Sequence, residues 1–487
     1  MGTPAGRRVL FTTVLGTGLV MIDATVVNVA LERIGADLGT GFVGLQWTVN
    51  AYTLTLASLI LSGGSLGDRY GRRRVFLVGV TWFALASLMC GLAPDVGTLI
   101  AARALQGVGG ALLTPGSLAL ISASFHGPDR AAAIGAWSGL GGVAGALGPF
   151  LGGWLVEWTW RAVFLINLPL AALIVVVALK HVPESRDPDS GPGLDLLGTL
   201  LAVVGLGAST YALTALGQTG ATPVPLIALV VGVAAGAAFV LVERRSRHPL
   251  VPPALFANRL FGAANGVTAL IYGALGVVFL LLVLQLQTVA GFSPLAAGTA
   301  LMPVTAVMLV FSARAGALAA RIGPRPPLTV GPLVSAGGLL LMLRVDSTTS
   351  WLFDVLPAVL VFGAGLALTV APLTATVLAA APDRYAGSAS GVNNAVARAA
   401  ALLAVAVIPG LAGIGGADHT DPAAFDSGFR TAVAIGAGLL VAAAATAFTL
   451  IRRPDTAAPG PDRVPIDRCS HCGVTGPQVH PTSSHTP

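Results

Sequence analysis

Two ionisable side chains stand inside long apolar runs of this sequence. Asp23 lies in the stretch MIDATVVNVAL, and Arg103 lies in LIAARALQGVGGA. A charged side chain at the centre of a bilayer costs roughly 3 kcal/mol or more, so each needs a reason to be there. Desolvation raises the proton affinity of a buried carboxylate and a nearby cation lowers it, which makes Asp23 a candidate proton-binding group. The alternatives are a structural acid near the membrane interface and an arginine that bonds backbone carbonyls.

The composition places these residues in a membrane protein. Of 487 residues, 10% are charged and 55% are hydrophobic, and the mean hydropathy is +0.83. The only lysine, Lys180, precedes a histidine, so the phosphate-binding loop of an ATP-driven pump is excluded. No soluble domain is left to house an enzyme active site. The high isoelectric point comes from basic residues that are spread over short loops. The tendency of membrane proteins to carry basic residues on the cytoplasmic side explains this distribution better than nucleic-acid binding does.

A spanning helix needs about 20 mostly apolar residues, and this criterion predicts fourteen helices in an all-α membrane protein. The predicted spans are Leu10–Leu31, Val43–Leu66, Val75–Ala93, Val96–Ser117, Ala131–Val156, Ala162–Val182, Leu194–Leu213, Pro225–Val242, Leu260–Leu286, Pro294–Ser312, Leu328–Leu343, Phe353–Val370, Gly387–Pro409 and Gly428–Ile451. If both termini are cytoplasmic, most of the 27 Lys and Arg residues fall on the inner side. The even count and this charge asymmetry support each other.

An internal repeat divides the predicted helices into two related halves. Laying Gly64 on Gly316 also aligns Gly71 with Gly323, whereas Asp68 meets Ala320, so the second copy lacks the acid. We therefore predict a six-helix bundle over residues 1–183, a linker and two-helix insert over 184–258, and a second six-helix bundle over 259–452. Residues 453–487 contain prolines and charges without apolar periodicity, which predicts a disordered cytoplasmic tail.

The charged stretch GSLGDRYGRRR carries a family resemblance. Gly64, Asp68, Arg69, Gly71 and Arg72 stand in the order found in the loop between the second and third helices of the major facilitator superfamily, a family of secondary transporters. The plain alternative is an ordinary basic loop between two spans. The resemblance implies two bundles that rock around a central cavity, with this loop as part of a cytoplasmic gate.

Three further stretches resemble motifs of that superfamily and of its antiporters, and the first of them is typical of the fourteen-helix drug:proton antiporter branch. They are the acid followed by TVVNVA at Asp23, the pattern Arg-x-x-Gln-Gly-x-Gly at Arg103, and the Gly-Pro-x-x-Gly-Gly pattern at Gly148 and Pro149. The branch implies proton-coupled efflux of a drug or antibiotic from the cytoplasm, with Asp23 and Arg103 as the proton-coupling pair. A membrane sensor that keeps the fold, and a proton-coupled importer of a small organic solute, are the alternatives.

The same resemblance implies further site residues. The cavity candidates are Asn28, Gln106, Asn393, Asn394 and Arg398, and the gating candidates are Gly64, Asp68, Arg69, Gly71, Arg72, Gly148 and Pro149. Because Arg398 opposes Asp23 and neither the tenth nor the thirteenth helix carries an extra acid, neutral or anionic organic substrates fit better than dications.

The expected partners are a small organic molecule, protons and the lipid bilayer. We expect a monomer in the cytoplasmic membrane, with no cofactor and no nucleic acid. The tail pair Cys469 and Cys472, with His471, His480 and His485 nearby, has some features of a zinc site. One thiol pair without a folded context is weak evidence, so we predict no metal site.

Overall fold

The computed structural model describes residues 3–125, 127–186, 195–246, 249–382, 385–414 and 421–451. These residues contain α-helices and short helical turns and no β-strand. The α-helices are α1 (Pro4–Leu38), α2 (Phe42–Tyr70), α3 (Arg72–Gly91), α4 (Val96–Ser124), α5 (Gly127–Trp158), α6 (Ala162–Leu165), α7 (Asn167–His181), α8 (Leu196–Thr219), α9 (Pro223–Arg245), α10 (Arg259–Thr288), α11 (Pro294–Ala300), α12 (Met302–Ile322), α13 (Arg325–Leu341), α14 (Leu356–Ala379), α15 (Ala386–Leu411) and α16 (Pro422–Leu450).

Fourteen helical segments of the described chain are long and apolar enough to cross a membrane. The predictions of an all-α membrane protein and of its span count are therefore confirmed. Two of these spans are broken, α6 from α7 at Ile166 and α11 from α12 at Leu301. A proline follows each break by two or three residues, and its missing N–H removes one bond from the helical ladder.

The stretch around Gly71 is not the loop that the sequence pattern suggested. Helix α2 continues to Tyr70 and α3 begins at Arg72, so Asp68 and Arg69 belong to the last turn of α2. Only Gly71 separates the helices, at φ 113°, a value that side chains strongly disfavour. Gly323, its partner in the repeat, separates α12 from α13 at φ 90°. The repeat is therefore visible in the backbone as well as in the sequence.

The helices pack as two groups and one pair. Helices α1 to α7 contact mainly one another, through the pairs α2 with α4, α3 with α4 and α1 with α5. Helices α10 to α16 do the same, and α8 packs along α9. We call α1 to α7 the first bundle and α10 to α16 the second bundle. The main contacts between them run from α2 to α15 and from α5 to α11.

The α8 and α9 pair lies where the two bundles meet. The Ser62 and Thr199 hydroxyl oxygens are 2.6 Å apart, which joins α2 to α8. At the other end of α8, a Cβ built on Gly217 would lie 2.8 Å from the Cα atom of Gly410 in α15. Helix α8 therefore contacts one helix from each bundle. Helix α9 turns large apolar side chains outward, as expected of a surface that faces lipid.

We name the two sides of the membrane region by the chain. The terminal face is the one at which α1 begins, and the opposite face is the one at which α1 ends. After an even number of crossings, α16 ends at the terminal face. Tyr70, Gly71 and Arg72 also lie at the terminal face, between the second and third spans.

Candidate functional site

The centre of the candidate site is the carboxylate of Asp23 in α1, which is fully buried. Its Oδ2 atom accepts a hydrogen bond from Nη1 of Arg103 in α4 at 2.6 Å. Its Oδ1 atom accepts from Nε2 of Gln106 at 2.8 Å and from Nδ2 of Asn167 in α7 at 3.0 Å. A buried ion pair is tolerated only when hydrogen bonds satisfy its remaining polar atoms, and this carboxylate has them.

A serine connects the same amides from the other side. The Ser87 hydroxyl in α3 accepts from Gln106 Nε2 at 3.0 Å and from Asn167 Nδ2 at 2.9 Å, and it donates to the Phe164 carbonyl at 2.9 Å. We call Asp23, Ser87, Arg103, Gln106 and Asn167 the Asp23 network. Four spans of the first bundle supply these side chains, so the network lies inside that bundle.

The guanidinium of Arg103 has further partners that do not involve Asp23. Its Nη1 atom also donates to Gln106 Oε1 at 2.6 Å, and its Nε atom donates to the Thr48 carbonyl of α2 at 3.1 Å. The Tyr52 ring centroid lies 4.3 Å from the Arg103 Cζ atom, a cation–π distance. These contacts would still hold the arginine if the carboxylate took up a proton.

Small residues on α4 allow the neighbouring helices to approach the network. A Cβ built on Gly107 would collide with the Tyr52 carbonyl of α2, and one built on Gly109 would lie 2.7 Å from the Phe83 nitrogen of α3. Such close backbone contact is the usual role of small residues between membrane helices. The glycines that follow Arg103 therefore allow the Thr48 carbonyl and the Ser87 hydroxyl to come within hydrogen-bonding distance of the α4 side chains.

The glycine and proline pattern of α5 packs directly against α1. The Thr25 hydroxyl donates to the Gly145 carbonyl at 3.0 Å, and that carbonyl would be bonded by residue 149 in a regular helix. Pro149 has no N–H to donate. A Cβ built on Gly148 would collide with the Thr25 hydroxyl, so this position admits only glycine. The motifs at Asp23 and at Pro149 are therefore in contact.

The far side of the same pattern meets the second bundle. A Cβ on Gly153 would lie 2.5 Å from the Leu295 Cα atom, and a Cβ on Gly298 of α11 would collide with the Pro149 carbonyl. These residues lie toward the opposite face, because α5 ends there and α11 begins there. The pattern predicted as a gate forms the closest backbone contact between α5 and the second bundle.

The predicted cavity residues do not form one cluster. Gln106 is buried in the Asp23 network. Asn28 is partly exposed, and its Oδ1 atom is buried without a partner among the described residues. Asn393 of α15 donates to the Asn265 and Thr268 oxygens of α10, at 3.1 and 2.8 Å, within the second bundle. Asn394 and Arg398 are partly exposed in α15.

The predicted gate at the terminal face has an additional member. Asp68 pairs with Arg72 one turn later at 2.8 Å, and the Arg69 guanidinium lies 5.3 Å from the Tyr70 ring centroid. Gly64 faces Pro115 of α4. The carboxylate of Glu184, beyond the sixth span, accepts hydrogen bonds from the backbone nitrogens of residues 73 and 74 at 3.0 and 3.2 Å. Glu184 therefore caps α3.

Sequence reasoning missed Ser87, Asn167 and Glu184. The first two are small polar residues within apolar runs, and that signal was available but is common among membrane helices. Glu184 lies in a charged connection where no local pattern separates a helix cap from a solvated acid. Within the described ranges no group of three or more His, Cys, Asp or Glu residues could hold a metal ion. Cys469, Cys472 and the tail histidines lie outside those ranges.

Comparison with known proteins decides the family. A model of the Major Facilitator Superfamily matches residues 13–406. The chain belongs to this superfamily. It is thus a member of a transporter family and not an enzyme, and the family prediction made from the charged stretch and the three helix motifs is confirmed.

Several relatives of this superfamily member are named for drug resistance. The chain is 38% identical to the multidrug resistance protein Stp of Mycobacterium tuberculosis, over 82% of the chain and 74% of the relative. It is 37% identical to the puromycin resistance protein pur8 of Streptomyces alboniger, over 89% of each. It is 35% identical to the methylenomycin A resistance protein of Bacillus subtilis, over 82% of the chain and 86% of the relative.

Solved structures of the superfamily share the fold. A bacterial homologue of the human lysosomal transporter Spinster, inward-facing and occupied, aligns at a TM-score of 0.64 over 93% of this chain and 98% of its own, with 19% identity. A D-xylose–proton symporter aligns at 0.63 over 92% of this chain and 98% of its own, with 15% identity. At these identities the similarity concerns the fold alone.

Proposed function

We propose that this chain exports a drug or antibiotic across the cytoplasmic membrane in exchange for protons. The relatives named for resistance to several drugs, to puromycin and to methylenomycin A support the class of cargo. The observation that supports proton coupling is the Asp23 network, in which a buried carboxylate is bonded by one guanidinium and two amides. In our proposal, movement of the helices that separates Arg103 from Asp23 accompanies proton binding at this carboxylate.

Protonation of Asp23 has a structural consequence in this arrangement. A neutral carboxyl group no longer attracts the guanidinium, while Arg103 keeps its bonds to Gln106 and to the Thr48 carbonyl. Helix α1 is then held less tightly to α4. In our proposal, proton uptake loosens α1 and proton release draws it back toward α4.

A contiguous set of contacts supports alternating access between the bundles, residues 1–183 and 259–452. Two residues after Asp23, Thr25 bonds α5, and the Pro149 region of α5 packs on Gly298 of α11. A shift of α1 therefore acts on the helix that closes the bundles toward the opposite face. In the proposed cycle the bundles rock about the α2–α15 and α5–α11 contacts, with the 184–258 insert beside them.

The positions of basic residues support the proposed sidedness. Arg72, Arg73 and Arg74 begin α3 and Arg244 and Arg245 end α9, all at the terminal face. An excess of arginine marks the cytoplasmic side, so we propose that both termini are cytoplasmic. Arg103 then lies on the order of 10 Å from the external end of α4, by the rise of a helix. We further propose that the transporter is monomeric.

The test is drug-dependent dissipation of a proton gradient in everted membrane vesicles. The cargo would be chosen from a growth-inhibition panel that includes puromycin, in a bacterial host without its own efflux pumps. Addition of the drug should dissipate the gradient in wild-type vesicles, because the transporter moves protons in the opposite direction for each drug molecule that it transports. Asp23→Asn should abolish this response. Drug extrusion that remained proton-driven in the Asp23→Asn variant would contradict the assignment.

Asp37→Asn provides the matched control on the same helix. Asp37 is exposed and pairs with Arg161 at 2.8 Å near the opposite face, outside the network. This variant should keep the gradient response. If wild-type expression changed the accumulation of no compound in the panel, a sensing role would replace export. Accumulation that rose on expression would indicate an importer.

A further inference from the structure

Arg398 is a cation near the contact between the bundles, and it has no anionic partner among the described residues. It lies in α15, which packs against α2 of the first bundle and α10 of the second. Its Nε atom is buried and has no hydrogen-bond partner, and none of the ion pairs among the described residues includes it. An unpaired guanidinium at membrane depth is costly unless it faces water or a ligand. Its partial exposure indicates that it faces a space between helices.

Among the residues that the structure describes, no carboxylate pairs with Arg398, and the neighbouring helices carry aromatic and polar side chains. The registers of α2 and α10 along α15 bring Tyr52 and Tyr272 to the level of Arg398. Gln46 of α2 donates to the Val405 carbonyl, and Asn393 donates to the Thr268 hydroxyl of α10. The Tyr52 hydroxyl is buried and has no hydrogen-bond partner in the described structure. Asn394 lies one helical turn before Arg398, on the same face of α15. A cation, a free phenol and an amide are together the groups that bind a planar, oxygen-rich anion.

Tyr52 also connects this space with the Asp23 network. Its ring lies 4.3 Å from the Arg103 Cζ atom, and its helix, α2, packs against α15, which carries Arg398. A ligand bound at Arg398 would therefore contact the helix whose tyrosine packs on the proton-coupling pair.

We propose that Arg398 is the recognition residue for the cargo, and that the cargo is an aromatic organic molecule with a carboxylate or another delocalised anionic group. This inference rests on the proposed export function and names its substrate class. The guanidinium binds the anionic group through its N–H donors, Tyr52 supplies a further donor, and Tyr272 lies beside the ring system. A cationic molecule of the same shape is repelled by Arg398, since no acid of the described residues pairs with it.

Three xanthene dyes provide a matched test. Fluorescein is anionic, rhodamine 110 carries a free carboxylate, and rhodamine 123 is the methyl ester of rhodamine 110 and is cationic. Their transport would be measured in everted vesicles under a proton gradient, and their binding in detergent by fluorescence polarisation. The wild-type protein should transport and bind fluorescein and rhodamine 110 better than rhodamine 123. Arg398→Gln should weaken binding of the first two about tenfold, the size of one lost charge-assisted hydrogen bond.

The control variants separate recognition from folding. Arg398→Lys should retain part of the preference because it keeps the charge, although it loses the guanidinium fork. Arg314→Gln removes an exposed arginine of the same bundle, which bonds only the Val310 carbonyl and a nearby ring, and should leave all three affinities unchanged. Arg398→Gln should not lower the melting temperature, because it removes a cation that has no partner among the described residues. Fluorescein should raise the melting temperature of the wild type and not that of Arg398→Gln.

Three results would overturn the inference. The first is an equal loss of affinity for all three dyes in Arg398→Gln, and the second is a wild-type preference for rhodamine 123. The third is that the wild-type protein binds neither carboxylate dye. Vesicles that move rhodamine 123 under a proton gradient and neither carboxylate dye would leave the export function standing. Vesicles that move no dye, and no compound of the growth panel, would count against both the export function and this inference.

Discussion

Thr25 in α1 donates a hydrogen bond to the Gly145 carbonyl of α5 at 3.0 Å, the carbonyl that Pro149 leaves without its usual helical donor. The Thr25 oxygen also lies 3.0 and 3.1 Å from the carbonyls of Met21 and Ile22, but helical N–H groups already serve those two. The bond to Gly145 is therefore the one with no substitute. It joins the helix that carries Asp23 to the helix that contacts the second bundle.

Thr25→Val should destabilise the protein in a way that depends on Pro149. The valine keeps the shape and removes the donor, which leaves a carbonyl unpaired at a cost of about 1–3 kcal/mol. In a Pro149→Ala background the helix supplies its own N–H, so the same substitution should cost much less. The measurement is the free energy of unfolding of the four proteins in detergent. Equal costs in the two backgrounds would contradict the role assigned to this bond.

The Asp23 and Arg103 pair should be strongly coupled in a double-mutant cycle. Either Asp23→Asn or Arg103→Gln alone leaves one buried charge without its partner, at a cost of about 3–5 kcal/mol in stability. The double variant removes both charges and should recover much of that loss. It should nevertheless remain uncoupled from the proton gradient, because no titrating group is left. Recovery of gradient-driven transport in the double variant would show that the pair acts only as a structural link.

The sequence was sufficient for the fold and for three of the five members of the Asp23 network, namely Asp23, Arg103 and Gln106. Long apolar runs define spans because lipid cannot satisfy backbone groups, and Asp23 and Arg103 stood out because charge in such runs is rare. Their bond could not be derived from spacing, since they lie on different helices. The contact between Thr25 and Gly145 also depends on how α1 and α5 pack. Helix α2 extends past its apolar run to include Asp68 and Arg69, because water can solvate charged side chains at a helix end. Hydropathy marks only the apolar part of a helix and therefore could not predict this extension.

The glycines at the contact between α5 and α11 should be intolerant of alanine. Gly298→Ala places a methyl group against the Pro149 carbonyl, so it should separate the bundles toward the opposite face and lower the melting temperature. Gly142→Ala in α5 is the control, because a Cβ there meets nothing within 4 Å. It should be neutral or stabilising by about 0.5–1 kcal/mol through helix propensity. Similar effects of the two substitutions would refute the close contact.

Asp95 should make the stability of the protein fall in acid. It lies between the third and fourth spans and caps α4, and hydrogen bonds from the backbone and side chain of Thr98 lower the pKa of its carboxyl group. A lowered pKa adds stability above the ordinary value of about 3.9, and that stability is lost as the pH falls through the folded value. Asp95→Asn keeps a good cap without a charge. Its melting temperature should therefore decline less than that of the wild type between neutral pH and pH of about 3.

The Asp68–Arg72 pair should affect turnover more than folding. The pair is partly exposed and joins adjacent turns across the Gly71 break, so it is worth only about 0.3–0.5 kcal/mol of stability. If it helps to hold the terminal face shut, Asp68→Asn should slow transport and leave substrate affinity nearly intact. Glu184→Gln is the contrasting variant, because it weakens the cap of α3 and should lower the melting temperature as well. The Asp68 pair has no counterpart at Ala320, so the second bundle cannot replace it. A loss of affinity in Asp68→Asn without a loss of turnover would contradict the gating role.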